Sequence, residues 1–364
     1  MPEKRTVAAV TGKGSITLIE QDVPPLTDGT VLVEVHSSLV SPGTELGGWR
    51  RLRAELDEPK PLAEPRPFGY ANAGVVLETG EGVRGLRPGD RVACMGSGYA
   101  LHADYAVVPQ NLCAPLPDEV SFAQGAYGHL AATALHALRR GEPGFGEFTG
   151  VVGLGIVGQL AARLHQLAGR FVIGWDVIPL RCRVARGWGI DTAVLAGSED
   201  EVAATEAFTA GAGLDSAVLA FGGDATAAVE SIERCLKRSP DGHPVGRIVV
   251  VGGCKFPYTS SLTNVDIRRA SRTGPGYHDE PWERGADYPP VFVRWSTRAN
   301  LQLCIRLIAA GRLDVNCLTT HTIPLARAEA GIAAIINEPD EILGVVFEME
   351  HQTSQRRERR DRRG

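Results

Sequence analysis

The chain has 364 residues, of which 43% are hydrophobic and 22% are charged, and its formal net charge at pH 7 is −5. This length allows two domains, and the composition is that of an ordinary globular protein. The mild negative charge gives no reason to expect nucleic acid as the main partner. No apolar run approaches the roughly 20 residues that span a bilayer, and residues 1–5 lead into a strand without the apolar core of a signal peptide. We therefore expect a cytoplasmic protein with neither a nucleic-acid partner nor a membrane partner.

The cysteines are odd in number and scattered, and they contain no C-x-x-C pair. A disulfide framework or a structural zinc site would need cysteines at characteristic spacings. We therefore expect reduced thiols, most of them buried. They are Cys94, Cys113, Cys182, Cys235, Cys254, Cys304 and Cys317.

Short apolar stretches separated by glycine and proline fill the first hundred residues. Residues 31–35 and 74–78 are predicted strands, and residues 86–92 are a predicted turn that leads into another strand. Many short strands with such turns are typical of a β-barrel or a β-sandwich. The first part of the chain is therefore predicted to be all-β.

From about Ser121 onward, apolar strands alternate with helical patterns. This alternation predicts a parallel sheet with helices on both faces. The helix after the first strand is predicted at 159–168. The predicted strands cover residues 151–153, 171–175, 216–220 and 248–252.

The stretch 151–158, Val-Val-Gly-Leu-Gly-Ile-Val-Gly, is the most informative motif. Its apolar residues predict a buried strand, and Gly153 permits the tight turn that ends it. Gly155 has no side chain to keep the backbone away from a pyrophosphate, and Gly158 lets the next helix pack close to the sheet. Phosphates then lie at the helix N-terminus, where free N–H groups and the helix dipole favour negative charge. The motif therefore predicts a dinucleotide-binding site.

Asp176 ends the second predicted strand of this unit. A carboxylate at this point accepts hydrogen bonds from the ribose hydroxyl groups of NAD and repels the 2′-phosphate of NADP. NAD(H) is therefore the expected cofactor, and NADP(H) is less favoured but stays open because Arg181 and Arg183 follow Asp176. The other residues expected to contact the cofactor are Ile156, Val157, Arg181 and Gly252.

Three stretches resemble the signature region of the medium-chain dehydrogenase/reductase superfamily in order and spacing. They are residues 67–76 (Pro-Phe-Gly-Tyr-Ala-Asn-Ala-Gly-Val-Val), 80–83 (Gly-Glu-Gly-Val) and 87–92 (Arg-Pro-Gly-Asp-Arg-Val). The glycine turn and Asp176 follow where that superfamily has them. The resemblance covers nearly all of residues 5–350. It implies an α/β chain with a GroES-like β-barrel catalytic domain and a Rossmann domain that contains a doubly wound parallel sheet.

The resemblance also implies how the chain is divided. Residues 1–121 form the first part of the catalytic domain, residues 122–289 form the Rossmann NAD-binding domain, and residues 290–350 return to the catalytic domain. In that last part a helix is predicted at 326–337 and a closing strand at 344–348. Residues 351–364 include an Arg-rich run without an apolar anchor, so we expect a disordered tail. A homodimer is the expectation at the level of the fold.

Zinc-dependent alcohol dehydrogenases of this superfamily bind their catalytic zinc through a Cys in a C-x-[ST]-[DE] stretch, a His-Glu pair, and a third Cys or acid. Here Pro42 stands at the Cys position, Tyr70 and Ala71 replace the His-Glu pair, and His129 aligns with the third ligand. Proline has no side-chain ligand, and Tyr with His makes a poor catalytic zinc site. The four-cysteine structural lobe expected after about residue 93 is also missing from the sequence. The chain therefore resembles the zinc-independent branch, and no metal is expected.

Hydride transfer without a metal still needs a group that takes or returns the proton. The resemblance implies that the former ligand positions converge under the nicotinamide, which leaves Tyr70 and His129 in the vacated pocket and Thr44 and Glu45 on its wall. The intrinsic pKa of His129 suits proton transfer. Tyr70 can share that role or anchor the substrate oxygen, and Glu45 can orient His129 or the substrate.

The histidines also have structural interpretations. A lone histidine near a helix start, such as His129, is often a cap or a satisfied buried polar group. His102, in a stretch where the superfamily packs a side chain between barrel strands, is expected to be structural. His136, on the helix that leads into the Rossmann domain, is expected to be structural as well.

A polar and aromatic segment at 273–285, which continues to 295, follows the last strand of the Rossmann part. The resemblance places it near the cleft mouth and the subunit edge. One interpretation is a substrate-binding loop with Tyr277, His278, Arg294 and Trp295 as contacts, and the other is a loop that supports a dimer interface. Arg294 beside hydroxyl-binding residues suits a small, polar substrate that is sugar-like or phosphorylated.

These observations predict a zinc-independent, NAD(H)-dependent oxidoreductase that interconverts a secondary alcohol and a ketone on a polar substrate, such as a sugar, a cyclitol or a tailoring intermediate. Residues 40–45, Val-Ser-Pro-Gly-Thr-Glu, are also similar to relatives of bacteriochlorophyllide dehydrogenase. Two alternatives stay open. One is an NAD(P)H-dependent quinone or enoyl reductase, which shares the fold, lacks zinc and usually prefers NADPH. The other is a non-catalytic NAD-binding sensor built on a dehydrogenase that lost its zinc ligands.

Overall fold

A computed structural model describes residues 2–11, 15–45, 64–338 and 340–351. Of the predicted tail at 351–364, only His351 belongs to this part of the chain, and the rest lies outside the described residues. The strands, in chain order, are β1 (Lys4–Val10), β2 (Ile16–Asp22), β3 (Thr30–Leu39), β4 (Arg66–Pro67), β5 (Ala71–Thr79), β6 (Arg91–Met95), β7 (Tyr105–Pro109), β8 (Cys113–Pro115), β9 (Phe148–Val152), β10 (Phe171–Asp176), β11 (Thr192–Leu195), β12 (Ser216–Leu219), β13 (Gly223–Asp224), β14 (Gly246–Val250), β15 (Cys254–Lys255), β16 (Val265–Arg269), β17 (Thr319–Pro324) and β18 (Gly344–Glu348).

A seven-stranded sheet takes its strands from both ends of the chain. Its order is β17-β18-β3-β5-β6-β8, and β7 also pairs with β3. The pairs are antiparallel except β17 with β18. Strand β3 is at the centre of this sheet, where it pairs with β18, β5 and β7, and it is buried along most of its length. The predicted strands at 31–35, 74–78 and 344–348 are confirmed. A separate small sheet has the order β2-β1-β4.

A six-stranded sheet forms the middle of the chain, with the order β11-β10-β9-β12-β14-β16 and parallel pairing throughout. The chain runs outward from β9 to β11 on one side, and then outward from β12 to β16 on the other. The strand order therefore reverses between β9 and β12, and the carboxyl ends of the strands at such a point form a crevice that binds ligands. The predicted α/β fold, a GroES-like part and a doubly wound parallel sheet, is confirmed.

Two strands of the parallel sheet, β11 and β16, were not among the predicted strands. Strand β11 is only four residues long. Strand β16 reads Val-Asp-Ile-Arg-Arg and lies at the sheet edge, where its charged side chains reach solvent. Neither strand therefore has the long continuous apolar run that is typical of a buried parallel strand.

Three of the described helices begin with a side-chain cap, at Ser121, Asp200 and Ser296. Helix α1 starts with a capping box, in which the Ser121 hydroxyl accepts from the backbone N–H of Gln124 and the Gln124 side chain accepts from the N–H of Ser121. The predicted helix at 159–168 begins three residues earlier, directly after the glycine turn. The helices are α1 (Phe122–Ala126), α2 (Gly128–Arg140), α3 (Ile156–Leu167), α4 (Pro179–Gly187), α5 (Glu201–Phe208), α6 (Thr226–Cys235), α7 (Glu280–Glu283), α8 (Thr297–Ala309) and α9 (Ala328–Asn337).

Short helical turns complete the secondary structure. Residues 42–45 form a helical turn, and 3₁₀ turns span Gln110–Leu112, Ser260–Leu262, Val315–Leu318 and Leu325–Arg327. In the part of the chain that the structure describes, no helix combines the length and apolarity needed to cross a membrane.

The cysteines are free thiols, as predicted. All except Cys317 are buried. Cys94 and Cys113 face each other across β6 and β8, with their Sγ atoms 3.7 Å apart. Both are buried in the seven-stranded sheet, which together with the sheet β2-β1-β4 we call the barrel, and they behave there as small apolar residues.

The glycine turn between β9 and α3 has the geometry that its sequence predicts. Gly153 has φ +89°, a left-handed conformation that favours glycine. A Cβ on Gly158 would lie 1.7 Å from the carbonyl oxygen of Gly153. Helix α3 can therefore approach the end of β9 this closely only because Gly158 has no side chain.

Gly158→Ala is expected to lower the free energy of unfolding by about 1–3 kcal/mol, because the added methyl group overpacks the helix against the turn. Urea unfolding followed by circular dichroism measures this change. Gly187→Ala is the matched control, since nothing lies within 4 Å of a Cβ built on Gly187. Equal unfolding free energies for the two variants would contradict the close packing.

Candidate active site

A cleft of about 1140 Å³ opens at the carboxyl ends of β9, β10, β12 and β14, where the strand order reverses. One wall belongs to the parallel sheet and the other to the barrel. Residues that precede β18, such as Leu343, complete the lining of the cleft. The sheet wall includes Gly153, Asp176, Ala220 and Val251, and the barrel wall includes Ser41, Thr44, Tyr70 and Ser97.

The residues predicted to contact a dinucleotide meet in the sheet half of the cleft, which we call the nucleotide half. Gly158 is the exception, because it packs beneath the turn against Gly153. The others line the cleft: Gly153, Gly155, Ile156, Val157, Asp176, Arg181 and Gly252.

Gly155 forms the bottom of a cradle at the start of α3. It is the N-cap of that helix, its φ is −64°, and nothing lies within 4 Å of a Cβ built on it. The open space lies in the cleft, and the first N–H groups of α3 have no partners within the helix. A pyrophosphate fits such a site, because these N–H groups and the helix dipole favour negative charge.

Asp176 ends β10 with its side chain only 3% exposed. Oδ2 accepts from the backbone N–H of Leu154 at 2.6 Å, and Oδ1 accepts from that of Ile178 at 2.9 Å. A guanidinium nitrogen of Arg181 lies 3.3 Å from Oδ2. A carboxylate can accept about four hydrogen bonds. Asp176 therefore fixes the glycine turn and still has capacity on Oδ1 for a ribose hydroxyl group.

Two further acids in the nucleotide half were not predicted from the sequence. Glu201, the first residue of α5, accepts a hydrogen bond from the Ser231 hydroxyl at 2.8 Å. Asp224 follows β12 and accepts from Thr226. Both line the cleft. Each looks like an ordinary helix-start acid in the sequence, so only the fold shows that they share a cleft with Asp176.

His129 lies at the start of α2, lines the cleft beside Tyr70, and is 6% exposed. Its Nδ1 lies 2.8 Å from the carbonyl oxygen of Tyr70. A carbonyl oxygen only accepts, so Nδ1 carries the proton and Nε2 is the nitrogen available to a ligand. Burial lowers the pKa of His129 to about 4. The imidazole is therefore neutral near pH 7.

Tyr70 precedes β5 and packs against His129, with ring centroids 4.5 Å apart. Burial is the largest cause that raises the pKa of its phenol, and the negative charge of Glu45 acts in the same direction. Hydrogen bonds to Ser41 and Thr44 act in the opposite direction but do not offset burial. Tyr70 therefore stays protonated and can donate a hydrogen bond in the cleft.

The structure places Glu45 differently from the expectation. Thr44 lines the cleft, but Glu45 does not. The Glu45 side chain is 4% exposed, and its Oε2 accepts from the Ser41 N–H at 2.8 Å and lies 3.3 Å from Nε2 of His102. His129 bonds to a backbone carbonyl instead. Glu45 therefore holds the turn that carries Thr44 and orients neither His129 nor a ligand directly.

His102 is a buried structural residue, as expected. It is fully buried, its Nδ1 lies 2.8 Å from the Ser38 hydroxyl, and its ring packs edge-on against Phe68 and Phe347. Together with Glu45 it ties the turn at 42–45 to the barrel.

Of the four residues after β16 that were predicted to contact a substrate, two line the cleft. Tyr277 and His278 line the cleft, and the Tyr277 ring packs edge-on against His129 with centroids 5.7 Å apart. Arg294 and Trp295 do not line it, which corrects their predicted placement. The Trp295 ring instead packs against Arg139 and Arg294, whose Cζ atoms lie 3.5 and 4.3 Å from its centroid.

The expected homologues of the zinc ligands do not fit a catalytic zinc ion. Pro42 has no donor atom, the phenol of Tyr70 resists ionisation, and His129 offers a single nitrogen. Zinc sites need three or four such donors. Within the described ranges, the residues close enough to form a metal-binding group are Glu34, His36 and His351. These three lie on the barrel, and none of them lines the cleft.

Comparison with known proteins agrees with this architecture. Residues 27–118 match the model of the alcohol dehydrogenase GroES-like domain. Sorbitol dehydrogenase from Mus musculus is 25% identical over 350 residues, which cover 88% of this chain and 89% of that protein. D-xylulose reductase from Scheffersomyces stipitis is 26% identical over 314 residues, which cover 71% of this chain and 83% of that protein.

Solved structures share the fold over almost the whole chain. Galactitol-1-phosphate dehydrogenase from Escherichia coli has a TM-score of 0.75 at 16% identity, covering 94% of this chain and 99% of its own. An alcohol dehydrogenase from Escherichia coli CFT073, solved with NADH, has a TM-score of 0.71 at 18% identity, covering 95% and 100%. The chain therefore shares the fold of these dehydrogenases over almost its whole length, residues 27–118 match the alcohol dehydrogenase GroES-like domain, and its curated relatives include sugar and polyol dehydrogenases.

Proposed function

We propose that this protein is an NAD(H)-dependent oxidoreductase that interconverts a secondary alcohol and a ketone on a polar, hydroxylated substrate without a catalytic zinc ion. One observation carries the proposal: a single cleft joins the glycine turn and Asp176 to His129 and Tyr70. The first pair suits a dinucleotide, and the second suits proton transfer at a hydroxyl group. The names of the sugar and polyol dehydrogenase relatives support the substrate class.

The residues of the nucleotide half would hold the cofactor. Gly155 and the first N–H groups of α3 receive the pyrophosphate, and Asp176 accepts a ribose hydroxyl group through Oδ1. When bound, the nicotinamide ring supplies the hydride acceptor or donor. Glu201 and Asp224 add negative charge to the same half, and the guanidinium of Arg181 is already paired with Asp176. The charge of this half therefore favours NAD(H) over NADP(H), which carries an extra phosphate.

His129 and Tyr70 divide the proton chemistry between them. In alcohol oxidation Nε2 of neutral His129 accepts the hydroxyl proton, while the phenol of Tyr70 donates a hydrogen bond to the same oxygen and stabilises its developing charge. In ketone reduction His129 acts in the opposite direction, and its protonated form returns the proton from Nε2 to the carbonyl oxygen. The low pKa of His129 makes its protonated form a strong acid, so the proton-transfer step favours reduction.

The alternatives receive less support from the cleft. A quinone or enoyl reductase that prefers NADPH would have to place a phosphate beside Asp176, Glu201 and Asp224. A non-catalytic NAD sensor has no need for a neutral histidine and a protonated tyrosine whose rings are 4.5 Å apart in the cleft. Both alternatives would be favoured again if no alcohol or ketone is turned over.

A homodimer joined through β16 is the proposed assembly. This strand ends the parallel sheet, and among the described residues no strand pairs with the backbone N–H and C=O groups of its outer edge. Pairing with β16 of a second copy would satisfy them.

Light scattering coupled to size-exclusion chromatography should give twice the chain mass of 38.8 kDa. Ile267→Pro removes one backbone N–H donor from the edge of β16, so it should shift the measured mass toward that of the monomer. A monomeric wild-type protein would contradict this assembly.

The charge argument predicts a change in cofactor preference. Val177→Arg combined with Glu201→Gln should raise the kcat/KM ratio of NADP⁺ to NAD⁺ by roughly tenfold or more, the size of one charge-assisted hydrogen bond. Val177 is 72% exposed and lines the cleft, and Asp176 is kept because it holds the glycine turn. Val291→Arg is the control, since Val291 is 88% exposed and outside the cleft. An unchanged ratio in the double variant would show that this half does not receive the adenosine ribose.

The proton-transfer role predicts the effect of removing His129. His129→Ala should lower kcat by roughly 100-fold or more, the usual scale for a general acid or base, while the Kd for NADH stays unchanged. Steady-state kinetics and fluorescence titration measure the two quantities. His136→Ala is the matched control, because His136 lies on the same helix and does not line the cleft.

The pH profile tests the same role in another way. Unprotonated His129 is the base, and burial lowers its pKa to about 4. The kcat of alcohol oxidation should therefore stay constant as the pH is lowered from ~8 to ~5. A fall centred near pH ~6.5 would indicate a histidine with an ordinary pKa. That outcome would contradict the buried, neutral state of His129.

A further inference from the structure

We propose that the substrate of this cleft carries an anionic group, a carboxylate or a phosphate, and that Arg272 binds it. This proposal rests on the proposed function, because it assigns the substrate end of the same cleft. Arg272 follows β16 and was not predicted from the sequence. It lines the cleft and is exposed to it.

Arg272 lies on the side of the cleft that contains His129. Its Nη1 lies 3.4 Å from the carbonyl oxygen of Tyr277, and the Tyr277 ring packs against His129. The Tyr277 hydroxyl group accepts from the backbone N–H of Ser97 at 3.0 Å, which fixes the ring to the barrel wall. The guanidinium is therefore next to the residue that packs on the proposed acid or base.

The guanidinium of Arg272 has no anionic partner within the described part of the chain. No carboxylate of those residues lies within 4.0 Å of it, and its one hydrogen bond is the long contact to the Tyr277 carbonyl. In the other half of the cleft, Arg181 is paired with Asp176. A guanidinium offers donors that match the two oxygens of a carboxylate or phosphate. Of the two described arginines that line the cleft, Arg272 is thus the one whose charge is available to a ligand.

The backbone around Arg272 is held in a strained form that points to function. Arg272 has φ +66° and His278 has φ +68°, and both line the cleft. Non-glycine residues rarely adopt this conformation unless their surroundings impose it. The next residue, Thr273, is fully buried, its carbonyl accepts from Asn300 at 2.8 Å, and its hydroxyl lies 3.1 Å from that of Thr297. The backbone from which the Arg272 side chain extends is therefore anchored to α8.

The two halves of the cleft have opposite charge. The acids that line it, Asp176, Glu201 and Asp224, all belong to the nucleotide half, whereas Arg272 lies at the substrate end. The cofactor pyrophosphate has its own site in the N–H groups at the start of α3. A second anion site near His129 therefore serves the substrate.

Inorganic phosphate is the probe, because it needs no stereochemical match. The full-length protein is saturated with NADH, so that the pyrophosphate site is filled, and phosphate is then titrated at constant ionic strength by calorimetry. Wild-type protein should bind one phosphate. Arg272→Gln should weaken that binding by roughly tenfold or more, the size expected for a charge-assisted pair, and should leave the Kd for NADH within about twofold.

Arg294→Gln is the matched control, since it removes the same charge outside the cleft, and it should bind phosphate as the wild type does. Two outcomes would overturn the proposal: no phosphate binding to the NADH-saturated wild type, or a loss of NADH affinity in Arg272→Gln, which would assign Arg272 to the cofactor. Failure of the proposed function is a different result, because the wild type would then not bind NADH at all.

Discussion

The close approach of helix α3 to the end of strand β9 is the constraint on which the rest of the site depends. Gly158 allows it, Gly153 turns the chain in the left-handed conformation, and Asp176 holds the turn from the neighbouring strand. These contacts fix the N-terminus of α3 at the bottom of the cleft. Because the strand order reverses next to this turn, the cleft can open there and receive the barrel as its second wall.

Burial then sets the chemistry of the barrel wall. The same apolar surroundings lower the pKa of His129 and raise that of Tyr70, so one residue stays unprotonated and the other protonated near pH 7. Burial disfavours the charged form of each residue, so a proton acceptor and a proton donor lie side by side near neutral pH. Pro42, Tyr70 and His129 line this wall, and their side chains do not fit a catalytic zinc ion.

Much of the fold could be predicted because its signals are local. The glycine turn, the apolar strand before it and the carboxylate that ends β10 lie within 151–176, and each constrains a nearby part of the backbone. Positions that depend on distant contacts were harder. Glu45 was expected on the cleft wall, but its partner His102 is far away in sequence. Trp295 was expected beside a ligand, yet it packs on Arg139 of α2. Arg272 went unnoticed because an arginine after a charged edge strand looks like a solvated residue.

NADH titration of the wild-type protein and of Gly155→Val, followed by nucleotide fluorescence, tests the central claim most directly. Gly155 has a φ of −64° and open space around its Cβ, so valine there should leave the fold intact while its side chain fills the proposed pyrophosphate site. The account predicts saturable binding by the wild type and none by a folded Gly155→Val variant. Equal binding by the two proteins would show that the glycine turn does not hold a dinucleotide.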